Sequence, residues 1–347
     1  MSLLLLGLAF AHHGIGTTQV TAPSLPPPTA GTASDDVQVE AGLRYDLARL
    51  DEQVQEDQRT KADRPVSMHR AALSGRLFLP GQRSVGLSAP VGLVSGADGS
   101  VVGAGDVSLW LGQGVGDRVR LQVEGGITAP TGRYDADAAL SAVDMQGQDD
   151  GSFLIATYDT RASLGAGSWS AQGRTVLQVA LGAASVRGHG TLSQPLDTTP
   201  DGYRWGRDGV LGGVAISPAL GPLTVELGAE RRWHQTDRFA FVDTETGEPM
   251  EVPVGRRSAT AVTAGMGVAL GERVRCRVDG HRVVAQEADG IQLLTSGGMG
   301  AGCRVTAPWS RRRAESVADV GEDEPTEAAP SVLESVADAP EPSRHQP

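Results

Sequence analysis

The chain has 347 residues, of which 39% are apolar and only 4% aromatic, with 46 glycines and a formal net charge of −12. No run of about 18 consecutive apolar residues follows the first dozen positions, which excludes a transmembrane helix there. The acidic balance, without a basic stripe, excludes a nucleic-acid-binding protein. Gly or Pro interrupts nearly every apolar stretch, which indicates many short strands.

The N-terminus reads as an export signal followed by a linker. Residues 1–11 are apolar and close on the small-x-small pattern Ala9-Phe10-Ala11, which predicts a signal peptide cut before His12. Residues 12–36 are rich in Pro and Thr and predict a periplasmic linker without a core. His12 and His13 at a new N-terminus could chelate copper or nickel, but two histidines in a linker usually bind nothing. No metal site is predicted.

Four segments after the linker alternate apolar and polar residues with period two, as in Leu223, Val225 and Leu227 with Thr224 and Glu226 between them. This pattern gives a strand one apolar face and one polar face. A soluble β-sandwich would alternate in the same way, so the pattern alone leaves both architectures open.

The connections between the predicted strands distinguish these architectures. Twelve strands are predicted, at 37–47, 69–79, 84–93, 104–113, 118–129, 152–165, 170–184, 203–217, 222–234, 256–270, 273–287 and 291–306. Long connections at 48–68, 130–151, 185–202 and 235–255 alternate with short turns, as in outer-membrane barrels. We therefore predict an all-β fold, a single antiparallel up-and-down transmembrane β-barrel of about 12 strands over residues 37–306, in a bacterial outer membrane. An even strand count places both termini in the periplasm.

The last hairpin predicts a register. If Asp289-Gly290 is the turn centre, opposed residues have numbers that sum to 579, and Cys276 and Cys303 satisfy this relation. They are the only two cysteines, and an exported protein meets an oxidising compartment. A disulfide and two packed thiols both remain open.

Residues 307–347 predict a disordered acidic tail, with nine acids and four arginines. Such tails are usually only solvated; contact with a periplasmic partner is the alternative.

The polar face of the strands carries charges that a barrel would turn inward. The predicted lumen-lining residues are Glu40, Arg44, Arg76, Arg120, Glu124, Arg161, Arg174, Glu226, Glu230, Arg275 and Arg277. A barrel of about twelve strands has a narrow lumen, so these charges are either hydrated in an open channel or paired across it. Pairing throughout would plug the pore.

One stretch resembles a known family. It runs from Gly105-Asp106-Val107-Ser108-Leu109-Trp110 to Pro130-Thr131-Gly132-Arg133-Tyr134-Asp135. It is similar to the outer-membrane proteins associated with the meta-pathway of phenol degradation, which are described as transporters. The resemblance implies a β-barrel that passes small, often hydrophobic compounds. The sequence departs from that family in its acidic tail and its few aromatic residues.

We therefore expect a passive channel or transporter for small solutes, including hydrophobic ones, whose partners are the lipid bilayer and the solute. The alternative is a closed, salt-bridged barrel with a structural or surface-recognition role. A hydrolase is the less favoured third hypothesis, because Ser185 with His189, or His234 with a loop serine, fits no catalytic motif. No enzyme activity and no cofactor are predicted.

Overall fold

The computed structural model describes residues 37–96, 99–133, 146–147, 153–154, 164–200, 203–242, 249–254 and 256–309. The predicted signal peptide, linker and acidic tail (from residue 310), together with Arg161, lie outside this part of the chain. Within it, no helix is long and apolar enough to cross a membrane.

The described secondary structure is β throughout. The strands are β1 (Gln38–Glu56), β2 (Gln58–Leu79), β3 (Arg83–Gly96), β4 (Gly99–Ala104), β5 (Val107–Val115), β6 (Val119–Ala129), β7 (Gln146–Gly147), β8 (Phe153–Leu154), β9 (Ser170–Leu181), β10 (Ala184–Pro195), β11 (Tyr203–Arg204), β12 (Asp208–Ile216), β13 (Leu223–His234), β14 (Asp237–Val242), β15 (Pro249–Val254), β16 (Arg257–Leu270) and β17 (Val274–Pro308).

The main sheet closes into a twelve-stranded antiparallel barrel. β4 and β5 both pair with β3 and are two segments of one barrel strand. β17 folds back on itself, because residues 274–288 pair with β16 and residues 291–308 pair with β1. The pairing Gln38↔Pro308 closes the cylinder. The predicted fold class is confirmed.

The predicted register of the last hairpin is observed. Cys276 and Cys303 form a disulfide with an S–S distance of 2.07 Å and a Cα–Cα distance of 4.0 Å, so they lie directly opposite each other. The amide of Thr306 donates to the carbonyl of Arg273, a second pair whose numbers sum to 579.

Three of the predicted segments were wrong. Residues 48–68, predicted as a loop, extend β1 and β2, because Leu50, Val54 and Val66 continue the inward alternation and are buried. β6 pairs directly with β9, so the barrel has no strand between them; of the predicted strand at 152–165, residues 152 and 155–163 lie outside the described part of the chain. The predicted loop at 185–202 contains β10. The barrel therefore has one predicted strand fewer and one unpredicted strand more, and the total remains twelve.

There is a physical reason why β10 is not among the predicted strands. Its outward positions include Gly188 and Gly190, where other strands carry large apolar side chains, so the apolar half of the alternation is weak. The preceding turn also lacks an Asn-Gly or Asp-Gly signal, and Gly182 adopts the required positive φ of 66°.

The barrel is apolar outside and charged inside. Leu73 and Leu227 are 64% and 62% exposed, whereas the inward Arg187 is only 2% exposed. Soluble proteins avoid apolar surface on this scale, and a lipid-facing barrel requires it.

Five of the described turns lie at the end of the barrel that also holds residues 37 and 309, and are at 80–82, 116–118, 182–183, 217–222 and 271–273, whereas the turns at 57 and 289–290 lie at the opposite end. We call the end with the five turns the short-turn end and the opposite one the loop end.

Candidate solute pathway in the barrel lumen

Charged side chains fill the half of the lumen nearer the short-turn end. We call this set the ionic layer; its members are Glu40, Arg44, Asp46, Arg70, Arg76, Glu124, Arg174, Arg187, Glu226, Arg277, Asp279 and Arg304. The ion-paired side chains among them are between 2% and 21% exposed. Charges lining a wide aqueous pore would be far more exposed than these side chains are.

One row of ion pairs runs along the inner wall of the barrel from β1 to β10. Nη1 of Arg44 lies 3.0 Å from Oδ1 of Asp279, and Nε of Arg277 lies 3.2 Å from that same oxygen. Glu226 is shared, because its Oε2 lies 2.9 Å from Nη2 of Arg277 and 3.3 Å from Nη2 of Arg187. Buried charges need such partners, since isolation costs several kcal/mol per ion.

A second group centres on Glu124. Its Oε1 lies 2.7 Å from Nη2 of Arg76, and its Oε2 lies 3.5 Å from Nη1 of Arg174. Gln122 donates to Oε1 of Glu124 at 2.5 Å. Beside it, Arg304 reaches Glu40 at 3.3 Å.

Glycines on the intervening strands make room for these pairs. A Cβ on Gly265 would lie 3.2 Å from both Nη2 of Arg277 and Cβ of Asp279. A Cβ on Gly300 would collide with the side chains of Arg44 and Asp46. Part of the glycine excess therefore reflects close approach inside the barrel.

Most of the predicted lumen residues fall in this layer or beside it. Glu230 lies just outside the layer, paired with Arg232, while Arg120 and Arg275 are half-buried. The predicted set lacks Asp46, Arg70, Arg187 and Arg304. Arg187 lies in a segment predicted as a loop, and Arg304 lies in a glycine-rich strand with diluted alternation.

The lumen nearer the loop end contains an apolar region between β1, β2, β3, β4 and β17, beside buried polar residues such as Thr128 and Ser193. A buried cluster, which we call the apolar cluster, consists of Leu50, Ala62, Val66, Met68, Val94, Val101, Leu164 and Leu293. Leu164 comes from the segment between β6 and β9 and is fully buried. Residues 164–168, which we call the plug segment, therefore pack into the barrel mouth.

Asp106 anchors the plug segment at the break between β4 and β5. Its carboxylate accepts from the amides of Gly132 at 2.8 Å and Ala166 at 2.6 Å, and the residue is fully buried. Trp205 donates its indole N–H to the carbonyl of Ala166 at 2.7 Å. Asp106 and Gly132 belong to the stretch that carries the family resemblance, which thus has a structural role in closing the barrel mouth.

A cavity of about 110 Å³ opens beside the apolar cluster. Most of its accessible surface is apolar and comes from residues such as Ala48, Leu50, Val210, Ala259, Leu294 and Trp233. The lining also contains polar and charged residues, which are Asp208, Arg232, His234, Arg257, Ser258, Gln286 and Thr295. We call this cavity the lumen pocket. Its size and lining suit part of a small apolar molecule.

His234 lies at the rim of the lumen pocket but is not placed to serve as a catalytic base. Its Nδ1 and Nε2 lie 2.7 Å from Asp208 and Asp237 respectively. Both ring nitrogens are therefore bound to carboxylates. Ser185 and His189 lie on the same strand, β10, four residues apart. Among the described residues, no group of three or more His, Cys, Asp or Glu side chains could hold a metal ion.

Comparison with solved structures agrees with the architecture. The chain is similar to an outer membrane channel from Pseudomonas putida F1, with a TM-score of 0.60 and 15% identity over 82% of this chain and all of that one. A deltaS2 mutant of the monoaromatic hydrocarbon channel TodX matches with a TM-score of 0.44 and 10% identity, over 80% of this chain and 91% of that one. The second similarity is too weak to carry an argument.

Sequence comparison adds no family: no family model matches the chain, and no curated protein matches it. By its fold, the protein is a twelve-stranded β-barrel of the outer-membrane type.

Proposed function

We propose that the protein is an outer-membrane channel for small, largely apolar solutes, with both chain termini on the periplasmic side. The observation that carries the proposal is the lumen pocket, an apolar cavity inside a barrel whose other half is charged. A barrel with a purely structural role has no need of such a cavity. The loop end would face the exterior, as long loops do in such barrels.

The solute would enter at the loop end and occupy the lumen pocket. It would then cross the ionic layer when ion pairs separate transiently, because the described conformation leaves no wide aqueous path there. A solute that exchanges contacts with water for contacts with the protein at each step does not need a wide, water-filled pore. Passage of small solutes is therefore compatible with a low ion conductance.

Uptake by intact cells tests this proposal. Cells with a complete lipopolysaccharide leaflet, which slows apolar compounds, should take up radiolabelled toluene faster when they express the protein. Ala259→Phe fills the lumen pocket and should reduce the added uptake at least several-fold. Val262→Phe lies on the same strand, with Val262 exposed on the lipid-facing surface, and is the matched control. Equal uptake by both variants would refute a route through the pocket.

The runner-up function is a closed barrel that recognises partners through its loop end. The burial of the ionic layer and the plug segment favours it. Absence of any added toluene uptake in wild-type cells, with the protein folded in the membrane, would select this function.

A further inference from the structure

The ionic layer does not balance its charge. Its twelve members are seven arginines and five acids. Arg44 and Arg70 face Asp46 and Asp279 in equal number. The excess lies in the rest, which are Arg76, Arg174, Arg187, Arg277 and Arg304 against Glu40, Glu124 and Glu226. Within this group, an anion would be stabilised most beside a buried arginine that has donors left over.

Arg187 is the arginine with unused donors. Its side chain is 2% exposed, and only Nη2 has a partner, Glu226 at 3.3 Å. Nε and Nη1 are buried without a hydrogen-bond partner among the described residues. Glu226 is also held more closely by Arg277, at 2.9 Å, so it does not fully satisfy Arg187.

The direct pairing partner of Arg187 on β9 is the half-buried Gln178, and valines lie on both neighbouring strands. Val214 is the direct pairing partner of Arg187 on β12, and Val176 on β9 pairs with His189, the next inward residue of β10. Both valines are buried, at 3% and 5% exposure. Chloride would gain nothing from these contacts, whereas the carbon skeleton of an organic acid would.

β10 also connects this position to the lumen pocket. Its inward residues Thr191, His189 and Arg187 succeed one another towards the short-turn end, and Thr191 pairs with Val210 of the pocket lining. Four residues of strand span about 13 Å. Oγ1 of Thr191 is buried without a partner, so it offers a second polar contact on the way.

We propose that the lumen binds small organic acids with an apolar body. The carboxylate of the ligand pairs with Arg187 and displaces Glu226 from it. This deepens the proposed function by naming the substrate class. The apolar body passes the lumen pocket, and the carboxylate then competes for the bridge that closes the ionic layer. The substrate itself thereby loosens the closure that it must cross.

Benzoate is a suitable probe, with benzamide as its neutral isostere. Calorimetric titration of the folded, detergent-solubilised protein should show benzoate binding at least tenfold tighter than benzamide. Arg187→Gln should weaken benzoate binding about tenfold, since an arginine–carboxylate pair is among the stronger protein hydrogen bonds. Arg118→Gln, at an exposed turn position, should leave binding unchanged.

Glu226→Gln provides the decisive contrast. It removes the competing carboxylate from Arg187 and should tighten benzoate binding several-fold. A merely structural ion pair predicts the reverse, with both variants binding worse. If Arg187→Gln does not fold, this variant alone decides the question. No change or weaker binding with Glu226→Gln would overturn the proposal.

Two further results distinguish an organic-acid site from a halide site, and this inference from the proposed channel function. Chloride that displaces benzoate at equal concentration would reveal a halide site and overturn the assignment to organic acids. Toluene uptake without benzoate binding would also overturn this inference while leaving the channel function intact. Absence of both would refute the channel function as well.

Discussion

The two halves of the lumen are filled by different kinds of interaction. At the short-turn end the ionic layer uses paired charges with almost no exposure to solvent. At the loop end the apolar cluster and the plug segment exclude water by packing, with Asp106 as their polar anchor. A narrow barrel can therefore be filled at one level by paired charges and at another by apolar side chains. An apolar solute meets the second of these first.

The largest effect on stability is expected in the ionic layer. Glu124→Ala leaves Arg76 and Arg174 without their shared carboxylate, and loss of one partner from a buried ion pair costs about 3–5 kcal/mol. The free energy of unfolding, measured by urea titration in phosphatidylcholine vesicles with tryptophan fluorescence, should fall by this amount.

Glu272→Ala is the matched control, because Glu272 lies exposed in a short turn. It should change the free energy of unfolding by less than about 0.5 kcal/mol. Similar losses for the two variants would mean that the ionic layer does not stabilise the barrel.

A smaller and more local effect is expected at the loop end. Asp106→Ala removes the acceptor of the Gly132 and Ala166 amides, and hydrogen bonds to a charged group contribute about 1.5–3 kcal/mol each. Because Gly132 and Ala166 lie outside the barrel strands, most of this loss should be local. Hydrogen exchange of a peptide covering residues 164–169 should accelerate at least tenfold, while strands of the ionic layer exchange as in the wild type.

Asp117→Ala, at an exposed turn position, should leave both regions unchanged. Faster exchange throughout the barrel in Asp106→Ala would show that the two closures are not independent.

Much of the ionic layer can be predicted from the sequence, but little of the apolar cluster can. Charges such as Glu124 and Glu226 alternate with large apolar residues, so period two alone assigns them to the interior. The register of Cys276 and Cys303 was also accessible, because Asp289-Gly290 is a strong turn signal.

The plug segment and the lumen pocket could not be predicted in this way. The sequence alone does not distinguish an inward apolar residue such as Leu50 or Val66 from an outward leucine. Leu50 and Val66 also lie in the segment 48–68, which the sequence predicts as a loop. Asp106 meets Ala166 across 60 positions of chain, a contact without local periodicity. The charge imbalance around Arg187 likewise depends on β10, which its outward glycines concealed.

Single-channel current in planar bilayers tests the central claim most directly, that ion pairs close the lumen in the described conformation. The folded wild-type protein in 1 M KCl should show no large, steady current steps, and the double variant Glu124→Gln/Glu226→Gln should show frequent openings because its arginines repel one another. Large steady steps from the wild type, unchanged in the double variant, would contradict a lumen closed by the ionic layer.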